Sequence, residues 1–118
     1  RIGDNENELI LVADHNKKIV GVLTLTKESF RKNNHVAVLG IAIRYGFRHL
    51  GIGTSLMQTS FEWARKKGIE KICLEVFSTN TNAISLYKKL GFEVEGIKKK
   101  QFKIRGEYVD DILMAKFL

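Results

Sequence analysis

A strand-like run from Val36 to Ile43 leads into Arg48-His49-Leu50-Gly51-Ile52-Gly53, and an amphipathic helix follows from Thr54 to Lys67. This strand, glycine loop and helix constrain the chain more than any other feature. Two glycines at such a turn let backbone approach a ligand with no side chain in the way. The first helical turn adds unpaired N–H groups and the positive end of the helix dipole. A phosphate or pyrophosphate fits such a seat.

Rival readings of the loop are weaker. Gly46 and Gly51 have the spacing of G-x-x-x-x-G-K-[ST], but Ile52 stands where the phosphate-binding Lys is needed. A dinucleotide fingerprint G-x-G-x-x-G would need Gly at position 56, which is Leu56. An ordinary helix start, with glycines for tight packing, is the plain alternative.

The other elements follow from periodicity and turn residues. Glu8–Ala13 and Ile19–Thr26 read as a hairpin closed by Asp14-His15-Asn16-Lys17-Lys18. Lys27 to Asn34 is polar and loop-like. Gly40 inside Val36–Ile43 suggests a bulge or a close backbone approach. Ile52, Leu56, Met57, Phe61 and Ala64 fall at helical spacing, with Arg65, Lys66 and Lys67 in the last turn and Gly68 after it. Ile72 to Phe77 is nearly all apolar, as in a strand covered on both faces. Asn80-Thr81-Asn82 offers N-cap residues to a second helix striped by Ala83, Leu86, Tyr87 and Leu90 and stopped by Gly91. Phe92–Ile104 and Tyr108–Leu118 read as strands joined by Arg105-Gly106-Glu107. The order β-β-β-α-β-α-β-β predicts a mixed α/β sheet with crossover helices. The crossover from Val36–Ile43 to Ile72–Phe77 should be parallel, with the glycine loop at the strand's carboxyl end, where open α/β sheets bind ligands.

At 118 residues the chain reads as a single domain. It begins at Arg1 rather than Met, so an upstream segment is expected. The polar stretch Gly3 to Glu8 is no signal peptide, and no apolar run nears the ~20 residues of a membrane span. One cysteine, Cys73, rules out an intrachain disulfide, fits a reducing cytoplasm and reads as a small core residue. His15, His35 and His49 are isolated, so no metal is expected. The net charge of +7 suits either a solvated basic surface or an anionic ligand. Lys98, Lys99, Lys100, Lys103 and Arg105 form the densest patch, but only Phe102 and Tyr108 accompany it, too few aromatics for a nucleic-acid platform.

Two motifs now identify a resemblance. Leu39-Gly40-Ile41-Ala42-Ile43 with Arg48, Gly51 and Gly53 resembles the acetyl-CoA motif of the GNAT superfamily, the GCN5-related N-acetyltransferases. Leu74-Glu75-Val76, Asn80, Ala83, Leu86-Tyr87, Lys89 and Leu90-Gly91-Phe92 look like its second signature. The tail, with Gly96, Gly106, Tyr108, Asp110, Leu113 and Met114, is similar to bacterial members acting on protein N-termini such as ribosomal-protein alanine, on amino acids or on small amines. The match runs from Leu9 to Leu118; the first strand and one or two helices that members usually carry before it are expected to lie outside this chain.

The resemblance implies an acetyl-CoA-dependent N-acetyltransferase with a direct transfer to a primary amine. The backbone of Ile41, Ala42 and Ile43 would pair with the pantetheine arm, and an N–H there would polarise the thioester carbonyl. Arg48, His49, Leu50, Gly51, Ile52, Gly53 and Thr54 would hold the pyrophosphate, and Asn80 the cofactor arm. Tyr87 would be the general acid. Glu75 matches a carboxylate that serves as general base in one branch and is not catalytic in others. The acceptor site would be built partly by the Lys98–Tyr108 hairpin. Dimers are common in the family, and Tyr108–Leu118 offers an edge for one.

The chemistry sets matching demands. Fixed N–H donors should face the thioester oxygen. The acceptor amine, with a pKa of ~8 to ~10.4, must lose a proton, and the thiolate, at about 8.5, must gain one. A tyrosine can donate it. Each residue also has a structural reading. Tyr87 lies on an apolar stripe as a core anchor would. Asn80 suits a helix cap, and Arg48 a surface cation. Glu75, between Leu74 and Val76, is expected to be buried, which would raise its pKa toward a base's working range. No Ser/His/Asp triad or Cys–His pair competes. Two other classes remain: an inactive GNAT-fold protein that senses CoA, and a small basic RNA-binding domain, whose RNA affinity would depend strongly on salt.

Overall fold

The computed structural model describes residues 3–48 and 50–118, with side chains from residue 5 onward. The elements are β1 (Gly3–Asp4), β2 (Glu8–His15), β3 (Lys18–Lys27), β4 (Val36–Ile43), α1 (Ile52–Lys66), β5 (Lys71–Phe77), α2 (Thr81–Lys89), β6 (Glu93–Ile104) and β7 (Glu107–Phe117). They form a mixed α/β fold whose contacts gather into two compact units.

The first unit, residues 1–72 with Leu118, orders its strands β1-β2-β3-β4, every neighbour antiparallel. β1 precedes the strands expected from the sequence. The Asn5 side chain accepts the Asn7 and Glu8 N–H groups, both at 2.8 Å, and this Asx turn folds Gly3–Asp4 back onto β2. α1 packs on β2, β3 and β4. Its buried residues include the expected Leu56, Met57, Phe61 and Ala64, joined by Trp63 and by Ser60, whose hydroxyl donates to the Met57 carbonyl at 2.7 Å. Leu9, Leu11, Leu23, Leu25 and Leu39 supply the strand side of this core.

Gly40 makes no bulge. It pairs in register with Thr24 within an unbroken β3–β4 ladder, and a Cβ there would stand 3.1 Å from Thr24 Oγ1, so close approach is the reason for the glycine. Gly21 has the same role beneath the helix. A Cβ on it would lie 3.0 Å from Ile43 Cδ1, 3.2 Å from Ile52 Cγ2 and 3.4 Å from Leu56 Cδ1. α1 therefore rests on β3 where β3 has no side chain.

The second unit, Cys73–Phe117, orders its strands β5-β7-β6 and contains α2. Two expectations are corrected in it. β5 is not covered on both faces: Ile72, Leu74 and Val76 are buried while Glu75 and Phe77 are exposed and Cys73 is half-buried, the period-two pattern of a strand with one open face. β7 is not an edge, because it lies between β5 and β6 and its Val109, Asp111, Ile112, Met114 and Ala115 are buried; β6 is the exposed edge strand.

β6 departs from regular pairing. Its partners run Lys98↔Asp111 and then Phe102↔Val109, so the stretch between them bulges out. Lys100 takes φ 53 there, and its N–H donates to Asp110 Oδ1 at 2.8 Å. Asp110 is fixed in turn: its N–H donates to Ser78 Oγ at 3.1 Å, and the Ser78 N–H donates to its carbonyl at 2.9 Å.

Candidate active site

In the first unit, β4 delivers the chain into a turn closed by the Phe47 N–H on the Arg44 carbonyl at 3.0 Å, with Gly46 at φ 96. Arg48 is exposed, its guanidinium 5.6 Å from the Tyr45 ring centre and its Nε donating to the Ile43 carbonyl at a long 3.4 Å. His49 lies outside the described residues. Leu50 is exposed. Gly51 takes φ 75, a left-handed conformation that non-glycine residues adopt at a cost, and stands at the helix N-cap.

α1 starts at Ile52, two residues before the expected Thr54, so Gly53 belongs to the first turn and is buried. Among the described residues no side chain caps this end, and no acidic residue occupies its first turn. The Ser55 N–H donates to Gly51, and among the described residues the N–H groups of Ile52, Gly53 and Thr54 remain the orphan donors of the terminus. Ile41, Ala42 and Ile43 stand directly before this turn, paired through β3 residues Leu23, Val22 and Gly21. The structure thus brings Ile41 to Ile43, Arg48 and Leu50 to Thr54 onto one strand–loop–helix passage.

Glu75, Asn80 and Tyr87 all fall in the second unit. Asn80 is the N-cap of α2: its Oδ1 accepts the Ala83 N–H at 3.3 Å. The cap uses the oxygen, and the amide nitrogen takes no part in it. Tyr87 is 8% exposed. Its place is set by the helix end. The Phe92 N–H donates to the Tyr87 carbonyl at 2.9 Å, the Gly91 N–H to Lys88 at 3.1 Å, and Gly91 takes φ 99. This is a Schellman cap, and its accompanying apolar contact is Tyr87 against Phe92, ring centres 6.0 Å apart. Burial raises the Tyr87 hydroxyl above its ordinary pKa of 10.0, so at neutral pH it is a proton donor.

Glu75 is not buried, contrary to expectation. Its side chain is 57% exposed, and its Oε1 lies 3.9 Å from Lys98 Nζ. β5 turns its even-numbered residues inward, and a residue flanked by Leu74 and Val76 therefore faces outward. The buried carboxylate of this unit is Asp111, 3% exposed, which the sequence reading did not single out. Its signal was available: an Asp with apolar neighbours at every second position of a strand. Gly21 was also missed, and single glycines in strands are the signal there.

Comparison with known proteins agrees with this architecture. A family model for the GNAT acetyltransferases matches residues 2–92. The L-amino acid N-acetyltransferase AaaT of Escherichia coli K12 is 37% identical over 120 aligned positions, which cover 98% of this chain and 72% of the relative. The [ribosomal protein bS18]-alanine N-acetyltransferase of the same organism is 28% identical over 82 positions, 70% of this chain and 55% of that one. Among solved structures, a GNAT-family acetyltransferase from Streptococcus pneumoniae superposes with a TM-score of 0.90 at 32% identity, covering 97% of this chain and 69% of that one. The chain belongs to the GNAT family of acetyltransferases.

Proposed function

We propose that the protein moves an acetyl group from acetyl-CoA to a primary amine, namely a protein N-terminus, an amino acid or a small amine, in the cytoplasm. The observation that carries this reading is the start of α1, which no described side chain caps and which opens on Gly51 at φ 75 at the end of the loop that follows β4. Donors of that kind match a pyrophosphate. Arg48 adds a charge-assisted contact, and its weak hold on the Ile43 carbonyl is easily exchanged for a ligand. The relatives support the acceptor class, since one is named for L-amino acids and another for a protein N-terminal alanine.

In the reaction the amine nitrogen forms a C–N bond to the acetyl carbonyl carbon as the C–S bond breaks. The carbonyl oxygen gains negative charge, which a backbone N–H of Ile41–Ile43 would stabilise. Starting from an ammonium, the nitrogen gives up two protons. One is delivered through Glu75, whose open carboxylate exchanges protons with water. Tyr87 gives its proton to the departing thiolate and is reprotonated, which uses the second. The net products are an amide, a thiol and one proton.

The test is thiol release from acetyl-CoA by the full-length protein across amines, amino acids and N-terminal peptides. Turnover with at least one acceptor is expected. Tight CoA binding without turnover on any acceptor would overturn the enzymatic reading and leave a CoA sensor.

A further inference from the structure

In the first unit, the tip of the β2–β3 hairpin reaches the loop that leads into α1. Asn16 and Lys17 turn the chain at φ 51 and φ 67, both left-handed, and set His15 opposite Lys18. Two central residues of that hand match the twist of the flanking strands. Just behind the turn the ladder is irregular. Ala13 pairs with Gly21 and Asp14 with Ile19, so the pairing steps past Val20 and β3 bulges there. A bulge bends its strand and re-aims what the strand carries. Val20 serves the loop instead: its carbonyl accepts the Arg44 N–H at 2.7 Å, directly beyond the last β3–β4 pair, Gly21 with Ile43. Further along the loop the Phe47 ring meets the His15 ring, centres 5.5 Å apart and tilted by 56°, a geometry that aromatic pairs favour. Phe47 is the side chain that ties this loop down. Arg44, Tyr45, Arg48 and Leu50 are exposed, Tyr45 to 86%, while Phe47 is half-buried. Its N–H also closes the turn onto the Arg44 carbonyl at 3.0 Å. The two loop residues that touch the hairpin are thus bonded to each other, and Arg48 follows directly.

We propose that His15 is a positioning residue for cofactor binding: its ring, packed on Phe47, holds the 44–48 turn in the shape that presents Arg48 and the start of α1 to the pyrophosphate. The assignment rests on the reading of this loop as the pyrophosphate seat. A loop with most of its side chains in water samples many shapes, and ordering it when a ligand binds costs affinity. A ring contact made before the ligand arrives removes part of that cost. His15 acts through Phe47 and touches no reacting atom, so it bears on binding and not on the chemical step. The benefit is confined to donors that carry a pyrophosphate, because that is the part of the donor this loop meets.

The experiment follows thiol release by the full-length protein with acetyl-CoA and with acetyl-pantetheine, a donor that lacks the pyrophosphate. His15→Ala should raise KM for acetyl-CoA at least about threefold, toward the low end of what an aromatic pair contributes, with kcat at saturation unchanged. The kcat/KM for acetyl-pantetheine should stay at the parent's value. His15→Phe keeps a ring on Phe47 and should restore the KM for acetyl-CoA. A parent-like KM in His15→Ala, an equal loss with both donors, or no rescue by His15→Phe overturns the proposal. If the parent releases thiol with no acceptor, the enzymatic reading fails separately. Calorimetry with acetyl-CoA then takes the place of KM, and the same loss in His15→Ala and rescue in His15→Phe are required. A parent that does not bind acetyl-CoA rejects the pyrophosphate seat and the role of His15 with it.

Discussion

Tyr87 and Gly51 are the residues on which the proposed chemistry turns. Tyr87→Phe keeps the ring against Phe92 and removes only the hydroxyl. General acid catalysis is typically worth ~10²–10⁴-fold, so kcat should fall at least tenfold with acetyl-CoA affinity little changed, as steady-state kinetics will show. The hydroxyl also leaves a signature in stability. Its folded pKa is raised by burial, so its contribution is complete below the unfolded value of about 10 and is lost as pH rises through the folded value. Melting scans between pH ~9 and ~11 should show the parent declining more steeply than Tyr87→Phe. At Gly51 no atom of the described residues, its chain neighbours aside, lies within 4 Å of an added Cβ, so the cost there is the strain of φ 75 and the obstruction of an approaching ligand. Gly51→Val should therefore weaken acetyl-CoA binding at least tenfold, about 1.4 kcal/mol, as read by calorimetry. Unchanged affinity would remove the loop from the site.

At the scale of elements, α1 and α2 are positioned by devices at their ends. The loop before α1 is placed by the fit of Ile52 and Leu56 over Gly21. Gly21→Ala inserts a methyl into a 3.0 Å gap to Ile43 Cδ1, and overpacking of this kind costs about 1–3 kcal/mol. A lowered melting temperature together with weaker acetyl-CoA binding is the expected result, since the same contact supports the helix start. α2 ends in the Schellman cap that sets Tyr87 against Phe92. Gly91→Ala forces a side chain to φ 99 and should cost about 1–2 kcal/mol of stability in denaturant titrations. A loss of kcat beyond that of stability would show that the cap also aims the hydroxyl.

For the molecule as a whole, charge is the property that reaches furthest. A net charge of +7 attracts a polyanionic ligand over distances set by the Debye length, about 10 Å at 0.1 M salt. The association rate for acetyl-CoA should fall as salt rises, with the dissociation rate less affected, in stopped-flow measurements. Arg48→Ala should lose on the order of 1–2 kcal/mol of affinity at low salt and less at high salt. Equal binding by the variant at low salt would make Arg48 a surface cation only.

Local signals in the chain were enough for most elements. β4 was legible to the residue, and the helices and hairpins followed from period, caps and turn residues, because these are set by neighbours a few positions away. The two motifs that carry the family resemblance are local for the same reason. The sequence also determined which residues stand at the glycine loop and at the α2 cap. Only the tertiary structure decided that α1 begins at Ile52, that β7 lies inside its sheet with β6 at the edge, and that Glu75 faces solvent while Asp111 is buried. Those outcomes depend on which strand lies beside which, and on where Gly21 and Asp110 let backbone segments meet. An apolar flank of Leu74 and Val76 names the character of a strand but not the face that will be covered. Burial is a property of the assembled sheet, and residues distant in the chain supply it.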